Sequence, residues 1–346
     1  MTTFSFHSIG IGIATRNGQG DIIEVFYPIV RRAPDAALCQ ALAGTLEYAG
    51  GNAHCVIGNT QLTQLLEQSA IAEDAELNAV LRQLDNSRQD IVAMLIAEDT
   101  APASVPEVYL KLHLLSHRLC KPHSLNLGGA FGILHNLAWT SQGAIDLEDL
   151  PARQLQARLK GELLEVMSVD KFPKMSNYVV PRGVRIAHTA RVRLGAYIGE
   201  GTTIMHEGFV NFNAGTEGPA MIEGRISAGV MIGAGSDLGG GCSTMGTLSG
   251  GGTEIISLGR DCLIGANAGL GIPLGDRCIV EAGLYVTAGT KVLLLDNDNQ
   301  VVSTLKAREL AGKSDLLFRR NSVTGAVECK ANKTAVALNA ELHTHN

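Results

Sequence analysis

The sequence predicts a mixed fold: an N-terminal α/β domain, then a parallel β-helix of hexapeptide repeats, then a short C-terminal extension. Three observations predict it. Ile186, Val192, Ile198, Ile204 and Val210 fall six residues apart without a miss. Forty glycines against 4% aromatic residues describe a chain packed by small and branched side chains rather than by large rings. The preceding half shows a different, largely helical spacing that stops near Val180.

Taken in order, "FSFHSIGIGIAT" alternates, "RNGQGD" supplies a glycine turn, and "IIEVFYPIV" resumes an apolar run, which predicts a hairpin. From about Asp35 to Asp149 the spacing is helical, as in "LTQLLEQSAIAEDAELNAVLRQL" and "VPEVYLKLHLLSHRLC". A further helix is expected over "PARQLQARLKGELLEVM", with Pro151 where a helix start tolerates it. This first part, 1–175, reads as α/β or mostly helical. His113 and His117 share one helical face, but no third metal ligand accompanies them.

The repeat occupies 180–295. Ile226, Ile232 and Leu238 repeat the spacing, then Leu258, Ile264 and Leu270, then Leu274, Val280, Val286 and Val292 in a shifted phase. Neither a helical period of 3.6 nor a strand period of 2 explains a period of six. A solenoid does: each unit is one flat side with one aliphatic side chain pointing inward, and three units close a turn. Glycine and alanine after the apolar residue, as in "LGAYIGEG", allow the corners. Residues 211–225 and 241–255 break the phase and are expected to leave the coil as loops, where chemistry tends to sit. The extension, 296–346, returns to mixed patterning and carries Lys306, Arg308, Lys313, Arg319 and Arg320.

Composition excludes some functions. A formal charge of −6 disfavours nucleic acid or an anionic membrane as partner. No apolar run approaches a membrane span, and "MTTFSFHS" is too polar for a signal peptide. Seven cysteines with no CxxC pair fit reduced thiols in a cytoplasm, packed as small hydrophobes.

The segments "HEGFVNFNAG", "MIEGRISAG", "GTLSGGGTEIISLG", "LIGANAGLGIPLGD", "VEAGLYVTAGT" and "LLFRRNSVTGAVE" resemble the long form of tetrahydrodipicolinate N-succinyltransferase, densely from about Val184 to Glu328. The resemblance implies a left-handed coil, against the usual right-handed crossover preference. It implies transfer of a succinyl group from succinyl-CoA to the amino group of a small dicarboxylate, 2-amino-6-oxopimelate, in lysine and diaminopimelate synthesis. The family's catalytic carboxylate, described as forming an acyl anhydride, matches Glu223 of "MIEGR". Its succinyl-CoA contacts match Arg225, Gly240, Ser243, Ala266, Glu281, Ala282 and Gly289, with Lys306 and Leu316, Leu317, Phe318 and Arg319 in the extension. Some members bind Mg2+ on a trimer axis through an Asp and a Glu; the Glu matches Glu207, but the Asp position is Ala190. Hexapeptide acyltransferases place their sites between neighbouring subunits, so a homotrimer is expected.

The residues themselves leave two roles open for Glu223: nucleophile, giving a mixed anhydride, or general base toward the substrate ammonium. An adjacent Arg225 would favour the first and burial the second. His206 is a competing base. Glycines 239–241 and 250–252 let backbone N–H groups approach a thioester or phosphate. Arg182, Arg185, Arg193 and Arg225 are candidate clamps for carboxylates. Competing functions are another CoA-dependent hexapeptide acyltransferase, a non-catalytic binding protein, or a three-histidine carbonic anhydrase. The last is disfavoured because the repeat region holds only His188 and His206.

Overall fold

The computed structural model describes residues 4–247 and 253–331, in two compact units that divide near Pro173, with the segment Leu115–His123 belonging to the second. Glycines 250–252 lie outside the described residues.

In the first unit the hairpin forms as expected: Ser8–Arg16 pairs antiparallel with Ile22–Arg32. Its sheet has four antiparallel strands, completed by Asp90–Ile96 and Ala53–Val56. These last two strands fall in the stretch whose spacing reads as helical. "DIVAMLI" is buried almost throughout, and an all-apolar run carries no period that separates a strand from a buried helix. Helices Ala36–Thr45, Asn59–Glu67 and Ala75–Leu84 pack into one core with Ile9, Ile11, Ile29, Ala93 and Leu95 of the sheet. Asp35 and Asp74 cap two of them by accepting the N–H of Leu38 and Leu77 at 2.8 and 2.9 Å. Leu77, Leu81 and Leu84 then fall on one buried face of the third.

A second, three-stranded sheet orders Gly143–Asp146, Leu137–Thr140 and Val166–Asp170. The helix with Pro151 in its first turn runs only from Leu150 to Leu159. Gly161, at φ 74°, turns the chain out of it, so "EVM" enters a strand instead of continuing the helix. His113 is buried here. Its Nδ1 faces the Tyr109 carbonyl at 2.7 Å and its Nε2 accepts the Tyr27 N–H at 3.3 Å, so both ring nitrogens are engaged.

The second unit is the parallel coil. Its first face stacks Arg185–Ile186, Thr202–Ile204, Ala220–Ile222, Ser236–Leu238, Leu263–Ile264 and Ile279–Val280. The second stacks Phe209–Val210, Arg225–Ile226, Ser243–Thr244, Gly269–Gly271 and Tyr285–Thr287. The third stacks Tyr197–Ile198, Gly215–Thr216, Met231–Ile232 and Ser257–Leu258. Most corners use a left-handed backbone three residues before the inward side chain. Gly195, Gly201, Gly229 and Gly235 supply it, and Asn213, Asp261 and Asn267 tolerate it.

Residues 211–225 do not leave the coil. Thr216 and Ile222 continue the six-residue series on the third and first faces. The period is masked because a threonine takes the inward place: its hydroxyl meets Thr202 Oγ1 at 2.7 Å and the Gly199 N–H at 3.1 Å, which satisfies it inside the core. Thr244 does likewise, accepting from Ser227 N and donating to the Arg225 carbonyl, both at 3.1 Å. Of the expected loop 241–255, the residues up to Met245 stay in the coil, since its N–H still bonds the Leu270 carbonyl of the next coil, and 248–252 lie outside the described residues.

Below the last coil, Leu316–Arg320 adds to the first face by pairing with Ile279–Val280. Val327–Ala331, Lys291–Leu295 and Val301–Lys306 extend that sheet.

Candidate active site

The true phase break is a short corner. From the first face to the second, most coils use four residues: 205–208, 239–242, 265–268 and 281–284. The coil of Glu223 uses two, Glu223 and Gly224, between Ile222 and Arg225. Glu223 therefore sits at the floor of a notch one coil wide, half-buried, with longer corners on either side.

Stacking at this edge is tight enough to require glycine. A methyl on Gly224 would lie 2.3 Å from Cys242 Sγ, and one on Gly208 would lie 2.4 Å from the Ile222 carbonyl oxygen. Gly240 is different. A methyl there would lie 3.5 Å from Glu223 Oε2 and 3.8 Å from Glu207 Oε2, so both carboxylates face the space over this residue. Cys242 lies beneath, buried, its thiol pushed up to about 12 by burial and, secondarily, by the Glu223 charge.

The N–H groups of Glu223, Gly239, Gly265 and Glu281 bond down the stack to Leu238, Ile264, Val280 and Phe318 at 2.8–2.9 Å. The next residue in each four-residue corner is turned outward. Among the described residues the N–H groups of Gly240, Ala266 and Ala282 have no acceptor, leaving one free donor per coil down the edge. The structure thus brings Glu207, Glu223, Gly240, Ala266, Glu281, Ala282 and Arg319 onto one edge. Sequence reasoning could find the acid but not this ladder of donors, because backbone groups carry no residue signature. The four-residue step from Ile222 to Ile226 was the readable trace of the notch.

Other candidates lie apart or are already engaged. Arg225 does not pair with Glu223: its Nε and Nη2 donate to Ser243 Oγ at 3.1 and 2.7 Å, because the outward side chains of the second face stack coil on coil. Gly289 stands at the far corner of that face. Lys306 is near it, since Ala307 and Arg308 donate to the carbonyls of Thr290 and Ala288 at 2.9 and 3.2 Å. Leu316 and Leu317 lie on the first face. The Phe318 side chain is fully buried, so only its backbone is available to a ligand. Arg319 Nε donates to Glu328 at 2.8 Å, and Glu281 accepts the Arg320 N–H at 2.7 Å. Arg193 lies over the Phe209 ring at 5.9 Å, and Arg182 and Arg185 belong to the first coil. His206 is exposed next to Glu207.

Of the two residue types that hold magnesium in some family members, the chain keeps Glu207, while position 190 is an alanine and offers no ligand. Among the described residues no helix is long and apolar enough to cross a membrane.

Comparison with known proteins places the chain in a family. Those described as tetrahydrodipicolinate N-succinyltransferase N-terminal and middle match residues 21–132 and 134–174, and the hexapeptide repeat of succinyl-transferase matches 255–288. The chain is 64% identical over 342 residues to the 2,3,4,5-tetrahydropyridine-2,6-dicarboxylate N-succinyltransferase of Pseudomonas paraeruginosa, covering 99% of each chain. It is 58% identical to that of Vibrio cholerae, over 99% of this chain and 100% of the other. A Campylobacter jejuni crystal structure, described as a 2,3,4,5-tetrahydropyridine-2-carboxylate N-succinyltransferase, matches with a TM-score of 0.87 at 34% identity, covering 96% of this chain and 93% of that one. The coil is accordingly the left-handed parallel β-helix of hexapeptide proteins, and the chain belongs to the tetrahydrodipicolinate N-succinyltransferase family.

Proposed function

We propose that the chain moves the succinyl group of succinyl-CoA to the amino group of tetrahydrodipicolinate in its open-chain form, a step of lysine and diaminopimelate synthesis, with Glu223 as the reacting carboxylate. The observation that carries this is the short corner: the single coil that loses two residues at this edge has an acid at the resulting floor. Around it, the Gly240 N–H suits a thioester oxygen that gains negative charge. The free N–H groups of Ala266 and Ala282 suit the amide carbonyls of the pantetheine arm. Arg225, braced by Ser243, suits a substrate carboxylate, and exposed Lys306 with Arg308 suits the CoA phosphates.

Two routes use the same carboxylate. As nucleophile, Glu223 attacks the thioester carbon, the C–S bond breaks, and CoA leaves as thiolate. The neutral amine then attacks the anhydride and frees the carboxylate. As base, Glu223 takes the ammonium proton, the amine attacks the thioester directly, and the thiolate is expelled from the tetrahedral adduct. Glu223→Gln keeps the shape and removes both routes. Turnover, read as CoA thiol released from succinyl-CoA in the presence of tetrahydrodipicolinate, should fall by roughly 10²-fold or more, whereas His206→Gln should cost far less. Rapid-quench trapping of succinate on Glu223 selects the anhydride, and its absence selects the base. If Glu223→Gln turns over normally and His206→Gln does not, histidine is the base and this assignment falls.

The same reading takes the assembly as a cyclic trimer with sites shared between copies. Light scattering that finds a fully active monomer would remove the sharing.

A further inference from the structure

We propose that a cleft in the first unit, none of whose residues is assigned to acyl transfer, binds a small amino acid as its zwitterion. The cleft lies between the hairpin of Ser8–Arg16 and Ile22–Arg32 and the helix Leu150–Leu159. It encloses about 610 Å³, within the range of sites that hold small molecules. Its floor is apolar and buried, formed by Ala14, Ile23, Ala144 and Ile145.

The frame of the cleft is held by the protein's own bonds. At the hairpin tip, Asn17 donates to Asp146 at 3.1 Å and Gln19 to Glu148 at 2.9 Å. Arg16 donates to Asp90 at 2.6 Å and to the Gly20 carbonyl at 2.5 Å, so this cation is committed to the frame. The Gly18 N–H reaches Asp149 at 2.7 Å. That approach needs glycine, since a methyl there would lie 2.6 Å from Asp149 Oδ1. A frame in place before the ligand arrives lowers the ordering cost of binding.

Inside this frame one pair of opposite charges is left open. Asp149, at the helix start, and Arg153 are four residues apart, the spacing at which an acid and a base normally pair. Here they do not: Asp149 is held by the Gly18 N–H, and among the described residues the Arg153 guanidinium has no partner. Gln89, Gln142 and Gln156 also line the cleft, and among the described residues their side chains make no hydrogen bond.

An α-amino acid carries both charges on one carbon, which matches side chains whose Cβ atoms stand about 5–6 Å apart. Its carboxylate can take two N–H groups of Arg153 at once. The remaining lone pairs of Asp149 accept its ammonium, and a short aliphatic side chain covers the floor. A plain carboxylate would meet the Asp149 charge and a plain amine the Arg153 charge, so the pair selects a ligand with both signs.

Calorimetric titration of the full-length protein tests this with three probes: L-norleucine, hexanoate, which lacks the ammonium, and pentylamine, which lacks the carboxylate. Norleucine should bind, and each single-charge probe should bind about tenfold more weakly or worse, the loss of one charge-assisted hydrogen bond. Arg153 is exposed, so its substitution leaves the core intact. Arg153→Gln should weaken norleucine about 10- to 100-fold, with acyl-transfer turnover as in wild type. Arg158→Gln, on the same helix but outside the cleft, should bind norleucine as wild type does. No heat of binding at millimolar norleucine overturns the proposal. So does hexanoate binding as tightly as norleucine, which would make the cleft a simple anion site. So does norleucine affinity that survives Arg153→Gln, which would place the amino acid elsewhere, at the acyl-transfer site above all.

Discussion

Two edges of the same coil have been treated in opposite ways. The edge from the second face to the third is dressed by other parts of the unit. The Ser116 hydroxyl accepts the Gly195 N–H at 2.9 Å and donates to the Ala196 carbonyl at 3.1 Å. One coil down, the Asn213 side chain accepts the His123 N–H, and one coil further the His123 ring meets the Gly229 carbonyl. Even the short corner of this edge, Gly271–Pro273 between Leu270 and Leu274, is filled: Ile272 and Pro273 are buried, and a methyl on Gly271 would lie 2.9 Å from the sulfur of Met245. The edge from the first face to the second has a comparable short corner, but among the described residues only the Glu223 and Glu207 carboxylates come within 4 Å of the Cβ position of Gly240 beside it. It shows free N–H donors, a half-buried acid and an overhanging second acid. A two-residue deletion in a repeat makes a notch in either place; what lines and covers it decides whether it becomes core or site.

The largest expected effect comes from refilling the open notch. Inserting Gly-Ser between Glu223 and Gly224 restores the four-residue corner used by the neighbouring coils while deleting no side chain. Each coil makes contacts only with its neighbours, so the fold should survive with a melting shift of a few degrees. Turnover should fall by roughly 10²-fold or more, as for loss of the carboxylate itself. Turnover within tenfold of wild type would mean that the notch is incidental to the chemistry.

The comparison also explains what could be read in the sequence. The coil was legible because each rung exposes one aliphatic residue at a fixed period, and Glu223 was legible as a lone acid at a break in it. Thr216 and Thr244 hid the period, since an inward hydroxyl looks like a loop residue until its partners on the next rung are known. The Leu115–His123 strap was illegible because its anchors lie 64 to 106 residues away in sequence. In the first unit, Asp90–Ile96 is a strand by virtue of pairing with Ser8–Arg16, a non-local fact that its apolar run does not encode.

A smaller effect probes the dressed edge. Ser116 is fully buried, and Ser116→Ala leaves the Gly195 N–H and the Ala196 carbonyl without their partner. That should cost about 1–3 kcal/mol of stability, read by denaturant or thermal unfolding, with KM and turnover of the folded protein unchanged. A change in KM at full stability would show that this edge, too, serves the ligand.

The smallest effect, nil at neutral pH, concerns Cys242 under the open notch. Burial comes first and the Glu223 charge second in raising its thiol from 9.0 to about 12. The unfolded chain therefore releases this proton before the folded chain does. The contribution to stability is complete below pH 9 and is lost as pH rises from there toward 12, by up to about 1.4 kcal/mol for each pH unit. Alanine already occupies the equivalent inward place on other rungs, at Ala196, Ala214, Ala220 and Ala268, so Cys242→Ala should fold well and unfold less steeply with pH between 9 and 12. Cys329, raised to about 12 by its own burial, keeps a second alkaline slope in both proteins, which makes the difference between them the quantity to measure. In Glu223→Gln the Cys242 slope should persist, because burial is the larger cause; if the slope vanishes there, the charge at the notch floor, and not the packing beneath it, holds the proton.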